Sequence, residues 1–154
     1  EIYTTTDTLS LHDALPIIRA TREHLTVDPQ ASVLRTHDTG DGGLFTGILV
    51  RYLALAARSP ALPQAAREDA TALIHGTADA LWTGRQSLTL PSSSARMPAG
   101  RRRHHEPVVF SPYPLVPARE SQPDGIPIEL STQVQAWTIL EAAASLSPTR
   151  RSTR

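Results

Sequence analysis

The sequence predicts an all-α protein with about three main helices and one long proline-rich loop. Apolar residues recur at helical spacing in three stretches of the 154-residue chain, at about 44–57, 63–82 and 130–146. The segment between the second and third stretches, 86–127, contains eight prolines and shows neither the helical nor the strand period. We therefore expect a helical hairpin, a long loop and a third helix.

The first helix has apolar residues at positions 45, 48, 49, 52, 53 and 56. Because it is apolar around much of its circumference, we expect it to be buried. Asp41, in the preceding Gly-rich loop, is expected to cap its start, and Ser59-Pro60 to end it. Arg51 lies inside this apolar stretch, so we expect a buried structural hub paired with a carboxylate or a carbonyl.

The second and third helices each have a predicted buried stripe. The second begins near Pro63, since proline suits a first helical turn, and ends at Gly84. Its expected buried residues are Ala66, Ala70, Leu73, Ile74, Thr77, Ala78, Leu81 and Trp82. Those of the third helix are Val134, Trp137, Leu140 and Ala144. The first two helices are joined by a short loop, which favours an antiparallel hairpin.

The remaining segments carry weaker signals. Residues 18–40 are polar and irregular, with a turn at Asp28-Pro29. Residues 86–127 are expected to be a partly disordered loop whose one apolar anchor is Val108-Val109-Phe110. Residues 148–154 form a polar tail.

The composition excludes several functions. All 15 basic residues are Arg, and the chain has no Lys, Asn or Cys. The missing Cys excludes disulfides, thiolate metal sites and a Cys nucleophile. The missing Lys and Asn indicate a GC-rich, bacterial and actinobacterial coding sequence, so Arg101-Arg102-Arg103 is expected to be a solvated loop, with nucleic-acid binding the less favoured alternative. A formal net charge of +0 and the lack of a long apolar run argue against nucleic-acid and membrane partners.

Candidate catalytic and metal-binding groups are few. The adjacent acidic pair Glu68-Asp69 falls early in the second helix, where acidic residues stabilise the helix dipole, so we expect a solvated face. His104 and His105 lack the i, i+4 spacing of a helical two-His site. His37 and Asp41 have that spacing but lie in a Gly-rich loop. We therefore expect no metal site and no cofactor.

The loop 36–43 is the best candidate for contact with a ligand. It is Gly-rich and leads into the most apolar helix, a position where loops often carry functional residues. Asp38 and Asp41 are its carboxylates. Capping and turn formation explain the same residues, and this structural interpretation remains the favoured one.

Three motifs resemble glycoside hydrolase family 76. The run GGLFTGILVRYL at 42–53 resembles the family phrase F-K-G-I-F-V-R-Y-L, with Thr46 in place of Lys and Leu49 in place of Phe. TADALW at 77–82 resembles its N-A-x-S-L-W, and ELSTQVQAW at 129–137 resembles the segment that opens its last helix. The resemblance implies an (α/α)6 toroid that hydrolyses α-1,6-linked mannan without a cofactor, using two consecutive Asp residues.

This chain has no Asp-Asp sequence, so no residue is assigned as catalytic. The resemblance implies that residues 18–147 are the C-terminal part of such a domain, an incomplete toroid that is itself inactive. Asp41 and Phe45 are the expected substrate-binding residues, as a hydroxyl acceptor and as a stacking or wall residue for α-mannan. The alternative is a non-catalytic helical module that binds carbohydrate or a protein partner.

A partial toroid cannot bury both faces of its helices. Under the resemblance we therefore expect exposed apolar side chains that favour aggregation or a loose helical assembly. The residues expected to be exposed in this way are Phe45, Ile48, Trp82 and Trp137.

Residues 1–17 carry a resemblance of a different kind. EIYTTTDTLSLHDALPI resembles the in-frame translation of an Illumina-type sequencing adapter, with EIYT and TLSLHDALPI as its constant parts and a variable index between them. We expect this segment to be foreign to the domain and disordered, and localisation to be unknown from the sequence. A natural extended arm is the less favoured alternative.

Overall fold

The structure, a computed structural model, describes residues 7–36, 39–88, 107–123 and 126–147, with side chains from residue 14 onward. It is all-α, as expected. The helices are α1 (Asp7–His24), α2 (Phe45–Arg58), α3 (Gln64–Thr83), α4 (Ala118–Ser121) and α5 (Leu130–Leu146), and a 3-10 turn, Gly40–Leu44, precedes α2. Two small antiparallel sheets pair β1 (Thr26–Asp28) with β2 (Val33–Leu34) and β3 (Gln86–Ser87) with β4 (Val108–Val109).

Helices α2 and α5 run parallel and lie side by side. Gly47, near the start of α2, lies beside Gln135, near the start of α5. At the other end, Arg58 Nη2 donates a 3.1 Å hydrogen bond to the Ser145 carbonyl. Helix α3 forms the predicted antiparallel hairpin with α2 and packs against both α2 and α5. The described helices therefore form two layers, with α3 behind the parallel pair.

The buried stripe of α3 is confirmed except at its end. Its buried residues are Ala66, Ala70, Leu73, Ile74, Thr77, Ala78 and Leu81. Trp82 is 48% exposed, because the helix ends there and only part of the indole has a partner. Its ring centroid lies 6.5 Å from that of Phe110, and the Arg85 guanidinium lies 3.8 Å from the Trp82 ring centroid.

The apolar pattern predicts the buried face of α2 only in part: Leu53 is buried and Leu49 and Ala56 are half-buried against the core, but the other predicted positions are exposed. The buried residues are Thr46, Gly47, Val50, Leu53 and Ala54. The larger Phe45, Ile48, Tyr52 and Leu55 are between 49% and 68% exposed. The reason is that α5 packs on the side with the small residues: Gly47 lies beside Gln135 and Thr138.

Arg51 is exposed, so the predicted buried hub is wrong. It lines an open groove between α2 and α5, where its guanidinium needs no buried partner. The charge therefore stays in contact with solvent, which avoids the desolvation cost of burying an Arg.

The predicted face of α5 is wrong at Val134, Trp137 and Ala144, which are exposed, whereas Leu140 is half-buried against the core. The residues that it buries are Thr132, Gln135, Ala136, Ile139, Ala142 and Ala143. Trp137 is 67% exposed and Val134 is 45% exposed, because they lie on the opposite side of α5 from Ala136 and Ile139, which face the core. The separate expectation that Phe45, Ile48, Trp82 and Trp137 are exposed is confirmed.

Helix α1 was not expected, because residues 18–40 were predicted to be irregular and residues 1–17 disordered. Residues 7–17 are helical, so the expected disorder is wrong for them, whereas residues 1–6 lie outside the described part. Helix α1 packs against α3. Its Ile18 is 2% exposed, and Arg22 Nη1 lies 2.5 Å from Asp69 Oδ1 of α3. That residues 1–17 derive from a sequencing adapter stays a prediction, because a helical conformation does not test the origin of a sequence.

The sequence correctly predicts two features next to the small sheets, the turn at Asp28 and the apolar anchor in the proline-rich loop. Asp28 Oδ1 accepts hydrogen bonds of 3.0 Å from the backbone N–H groups of Gln30 and Ala31, which confirms the predicted turn. In the proline-rich loop, Val109 and Phe110 are 5% and 3% exposed and form the predicted anchor.

Residues 89–106 lie outside the described residues, and with them the predicted solvated Arg cluster and the His104-His105 pair. No helix in the described part of the chain is long and apolar enough to cross a membrane.

Candidate functional site

The N-terminal ends of α2 and α5 lie together, because these two helices are parallel. The 3-10 turn Gly40–Leu44 packs against α5 at this end. The Gly40 N–H donates a 2.6 Å hydrogen bond to Oε2 of Glu129, the residue that precedes α5. Gly40 has a φ of 67°, a left-handed conformation that glycine adopts without a steric cost.

A second hydrogen bond from α5 holds the other end of the same turn. Gln135, which is 3% exposed, accepts a 3.2 Å hydrogen bond at Oε1 from the Thr46 N–H. The Thr46 hydroxyl donates to the Arg35 carbonyl at 2.9 Å, which joins this end of α2 to the chain that follows β2. A side chain of α5 therefore satisfies one N–H group in the first turn of α2.

The prediction that Asp41 caps α2 is wrong. The N-cap residue of α2 is Leu44, which makes no side-chain capping bond. Asp41 lies inside the 3-10 turn and is exposed. Asp41 therefore does not cap α2. As an acidic residue at the start of the 3-10 turn, it still stabilises that turn.

The predicted binding residues Asp41 and Phe45 come to the same edge of the molecule. They lie four residues apart on a continuous helical stretch, and the Phe45 residue is 58% exposed. Glu129 adds a half-buried carboxylate at this edge. We call this group of Asp41, Phe45 and Glu129 the N-terminal edge. Carboxylates accept hydrogen bonds from hydroxyl groups, and an aromatic ring offers an apolar surface.

The other candidate residues are placed apart from this edge or lie outside the described part. His37 and Asp38 lie outside it. Glu68 is exposed, as expected, and accepts a 2.7 Å hydrogen bond from Gln64 Nε2. Asp69 is half-buried and pairs with Arg22 of α1. Neither residue lies in the first turn of α3, so the expected stabilisation of the helix dipole is wrong. In the part of the chain that the structure describes, no group of three or more His, Cys, Asp or Glu residues is placed to hold a metal.

Sequence reasoning missed Glu129 and Gln135. Both are hydrogen-bonded to residues 89 positions earlier in the chain. Both lie within the segment whose sequence resembles the start of the last family 76 helix, so the motif was visible. The partners of these side chains depend on the parallel packing of α2 and α5, which the motif does not encode.

No protein-family model matches the chain, and no curated protein matches it. Solved structures do match. A glycoside hydrolase family 76 α-1,6-mannanase from Salegentibacter sp. HEL1_6 aligns with a TM-score of 0.65 and 27% identity, covering 93% of this chain. An inactive variant of that enzyme, with two consecutive Asp residues changed to Asn, was solved with α-1,6-mannotriose and matches at the same 27% identity and TM-score of 0.65. A second inactive variant, with both Asp residues changed to Ala, was solved with α-1,6-mannotetrose and aligns at 28% identity.

The chain spans 35% of the length of these solved structures. The likeness shows that the described helices have the all-α fold of part of a family 76 toroid. The parallel pair α2 and α5 with the antiparallel α3 behind it is consistent with this, because a toroid of helical hairpins alternates helices of opposite direction between two layers.

Proposed function

We propose that this chain is the C-terminal part of a family 76 α-1,6-mannanase domain, and that its N-terminal edge belongs to the sugar-binding surface of that domain. One observation supports this above the others: 93% of the chain aligns with an α-1,6-mannanase at 27% identity and a TM-score of 0.65. The three family 76 motifs, which occur in the expected order, are a second and independent line of support.

We propose that the chain by itself does not hydrolyse mannan. A retaining glycosidase needs one carboxylate as nucleophile and a second as general acid and base. The inactive variants of the Salegentibacter enzyme have two consecutive Asp residues replaced, and this chain contains no two consecutive Asp residues. The catalytic pair of the proposed domain would therefore be supplied by sequence outside these 154 residues.

At the N-terminal edge, the proposed roles follow from the exposed groups. The Asp41 carboxylate accepts hydrogen bonds from sugar hydroxyls, and Phe45 forms a wall against the apolar face of a mannose ring. Glu129 and Gln135 hold the turn that carries both residues, through their bonds to Gly40 and Thr46. The substrate class is α-1,6-linked mannan or manno-oligosaccharides, and no cofactor takes part.

The test measures binding and hydrolysis separately. Saturation-transfer NMR with α-1,6-mannotriose is expected to show contact with the chain, reduced several-fold by Asp41→Asn and by Phe45→Ala. Asp79→Asn is the matched control, because Asp79 is an exposed carboxylate on α3. Release of reducing sugar from α-1,6-mannan is expected to stay at the level of the blank, with an intact family 76 enzyme as the positive control.

Two results would overturn the proposal. Mannan cleavage by the chain, lost on Asp41→Ala, would show that the chain is itself an enzyme. A mannotriose signal that is absent, or that Asp41→Asn and Phe45→Ala leave unchanged, would reject the N-terminal edge as the binding surface.

The missing Asp-Asp pair favours one alternative, a non-catalytic carbohydrate-binding or interaction module. The genomic sequence that precedes the codon of Ile18 distinguishes the two. An in-frame Asp-Asp pair roughly a hundred or more codons upstream supports the mannanase domain. A start codon close to Ile18 supports the module.

A further inference from the structure

Trp82 and Arg85 form a preorganised pair at the C-terminal end of α3. The guanidinium carbon of Arg85 lies 3.8 Å from the centroid of the Trp82 ring, and Arg85 Nη1 donates a hydrogen bond to the Trp82 carbonyl. Two contacts therefore fix an exposed side chain, which loses little conformational freedom when it binds a ligand. In the part of the chain that the structure describes, no ion pair includes Arg85, so its other N–H groups can donate to a ligand.

The Trp82 side chain has a buried support and remains half open. The residue is 48% exposed with the guanidinium in place. Its ring centroid lies 6.5 Å from that of Phe110, which is 3% exposed. Both backbone polar groups of Phe110 are hydrogen-bonded to the Gln133 side chain. The pair therefore presents an apolar ring surface and fixed hydrogen-bond donors, which is the combination that small-ligand sites use.

This pair lies at the same end of the molecule as the N-terminal edge. Helix α3 is antiparallel to α2 and packs against both α2 and α5, so its C-terminal end lies beside the starts of those helices. The first turns of α5 contact both places: Glu129 accepts a hydrogen bond from Gly40, and Gln133, one turn later, holds Phe110 under Trp82. Neighbouring helices lie about 8–10 Å apart, so one oligosaccharide of a few sugar units can reach both places.

The two places offer complementary hydrogen bonds. The carboxylates of Asp41 and Glu129 only accept, whereas a guanidinium only donates. A sugar hydroxyl does both, so a single mannan chain satisfies the two places together. Both lie at the ends of helices, apart from the sides of α2 and α5 that further helices of a complete toroid would cover.

We propose that Trp82 and Arg85 form a second sugar-binding position, which takes a mannose unit of the same α-1,6-linked chain that the N-terminal edge binds. This inference rests on the proposed function, because it extends the binding surface for the same ligand. The open part of the Trp82 ring packs against the apolar face of the sugar, and Arg85 donates hydrogen bonds to its oxygen atoms. Affinity then increases with the length of the oligosaccharide until both positions are filled.

The dependence of affinity on sugar length tests the second position. The chain is titrated with α-1,6-mannobiose and with α-1,6-mannotetrose, and binding is followed by NMR at the backbone amide of Asp41. The wild type is expected to bind mannotetrose about tenfold more tightly than mannobiose. Trp82→Ala and Arg85→Gln are expected to remove most of this difference and to leave the dissociation constant for mannobiose unchanged. Arg58→Gln is the control, since Arg58 is exposed at the far end of α2.

The indole N–H signals give a direct readout, because the chain has 2 Trp residues. Mannotetrose is expected to shift the signal of Trp82 and not that of Trp137, which lies eight residues, or about 12 Å, beyond Glu129 along α5. Trp137→Phe assigns the signals and should bind both sugars as the wild type does. Trp82→Phe keeps an aromatic ring beside Phe110, so it is expected to fold even if Trp82→Ala does not, and to bind mannotetrose several-fold more weakly than the wild type.

The outcomes separate this inference from the proposed function. The second position is overturned if mannotetrose leaves the Trp82 indole signal unchanged, or if Arg85→Gln and Trp82→Phe bind mannotetrose as tightly as the wild type. Loss of mannobiose binding in Asp41→Asn would still support the N-terminal edge in that case. A shifted Trp82 signal with no effect of Asp41→Asn would reject the N-terminal edge and keep the second position, and a chain that binds neither sugar would overturn both.

Discussion

The Thr77 hydroxyl makes two hydrogen bonds, one within α3 and one that joins α3 to the β1–β2 hairpin. Its Oγ1 donates to the Leu73 carbonyl at 2.7 Å and accepts from the Leu34 N–H at 2.9 Å. Both Thr77 and Leu34 are fully buried. The helical pattern predicts the burial of Thr77, but the hydroxyl's second partner lies 43 residues earlier in the chain.

Thr77→Val is expected to destabilise the chain by about 1–3 kcal/mol, because it leaves the buried Leu34 N–H without an acceptor. Thr77→Ser keeps the hydroxyl and is expected to cost less than half as much. Urea unfolding followed by circular dichroism measures both. A larger loss for Thr77→Ser than for Thr77→Val would show that the methyl group, and not the hydrogen bond, stabilises this position.

Gly76, the residue before it, lies where the turn of the β1–β2 hairpin crosses α3. A Cβ at this position would lie 2.2 Å from the Ala31 carbonyl oxygen and 2.9 Å from that of Ser32. Backbone atoms cannot rotate away as a flexible side chain can. Glycine here is therefore required by a close approach of two backbones.

Gly76→Ala is expected to destabilise the chain by about 3 kcal/mol through displacement of the hairpin. Gly47→Ala is the matched control inside another helix, where the added Cβ would meet its nearest atom at 3.4 Å. The gain in helix propensity, about 1 kcal/mol, should make this control neutral or slightly stabilising. Thermal unfolding compares the two, and similar melting temperatures would contradict the close approach at Gly76.

At the scale of the elements, α2 shows why the helices were predictable and their faces were not. Helical periodicity requires only that apolar residues repeat along one side, and α2 has large apolar residues over most of its surface. Neighbouring helices decide which side is buried. Here α5 and α3 contact the side with Thr46, Gly47 and Ala54, because small residues let helix axes approach closely.

Two leucines of α2 test this orientation directly. Leu53 is 2% exposed and Leu55 is 63% exposed, so the same substitution probes opposite sides of one helix. Leu53→Ala is expected to cost about 2–5 kcal/mol, since it leaves a cavity in the core. Leu55→Ala is expected to change stability by less than about 0.5 kcal/mol in the monomer. Urea unfolding at low protein concentration measures both free energies of unfolding. A larger loss of stability in Leu55→Ala than in Leu53→Ala would show that the buried and exposed sides of α2 are assigned the wrong way round.

The proline-rich segment is held on α5 by one side chain. Gln133 Oε1 accepts a 2.9 Å hydrogen bond from the Phe110 N–H, and its Nε2 donates a 3.1 Å bond to the Phe110 carbonyl. The pair of bonds replaces a strand partner for the residue that follows β4. The sequence predicts Phe110 as an apolar anchor, but it does not predict this polar contact.

Gln133→Ala is expected to destabilise the chain by about 1–2 kcal/mol, because it leaves both polar groups of Phe110 without this partner. Hydrogen exchange at the Phe110 amide should accelerate more than exchange in α3. Gln64→Ala, at an exposed Gln on α3, is the control and should change neither quantity. Unchanged exchange at the Phe110 amide in Gln133→Ala would show that these two hydrogen bonds do not hold the segment on α5.

At the scale of the whole molecule, α3 is the centre of the described fold. It contacts α1, α2, α5 and β2, whereas α2 and α5 each leave one apolar side open. Burial on several sides protects backbone hydrogen bonds from local opening. The molecule is therefore expected to be most stable at α3.

Hydrogen exchange followed by mass spectrometry tests this order. The slowest exchange is expected in peptides from the middle of α3, around residues 70–81, followed by α2 and α5, and the fastest in α1. If α1 exchanges as slowly as α3, its packing against α3 is stronger than the contacts of Ile18 and Arg22 suggest.

The sequence by itself determined the all-α class, the bounds of the three main helices, the buried stripe of α3, the turn at Asp28-Pro29 and the Phe110 anchor. These follow from local periodicity and turn chemistry, which act over a few residues. Its motifs also predicted the family 76 fold, which the solved structures support.

Only the tertiary structure decided which sides of α2 and α5 face solvent, that Arg51 is exposed, and that residues 7–17 are helical. It also decided the hydrogen bonds of Glu129 and Gln135 to Gly40 and Thr46, on either side of Asp41. Each of these depends on which helix lies beside which. Parallel packing of α2 and α5 brings together residues 89 positions apart in the chain, and no local pattern records such a contact.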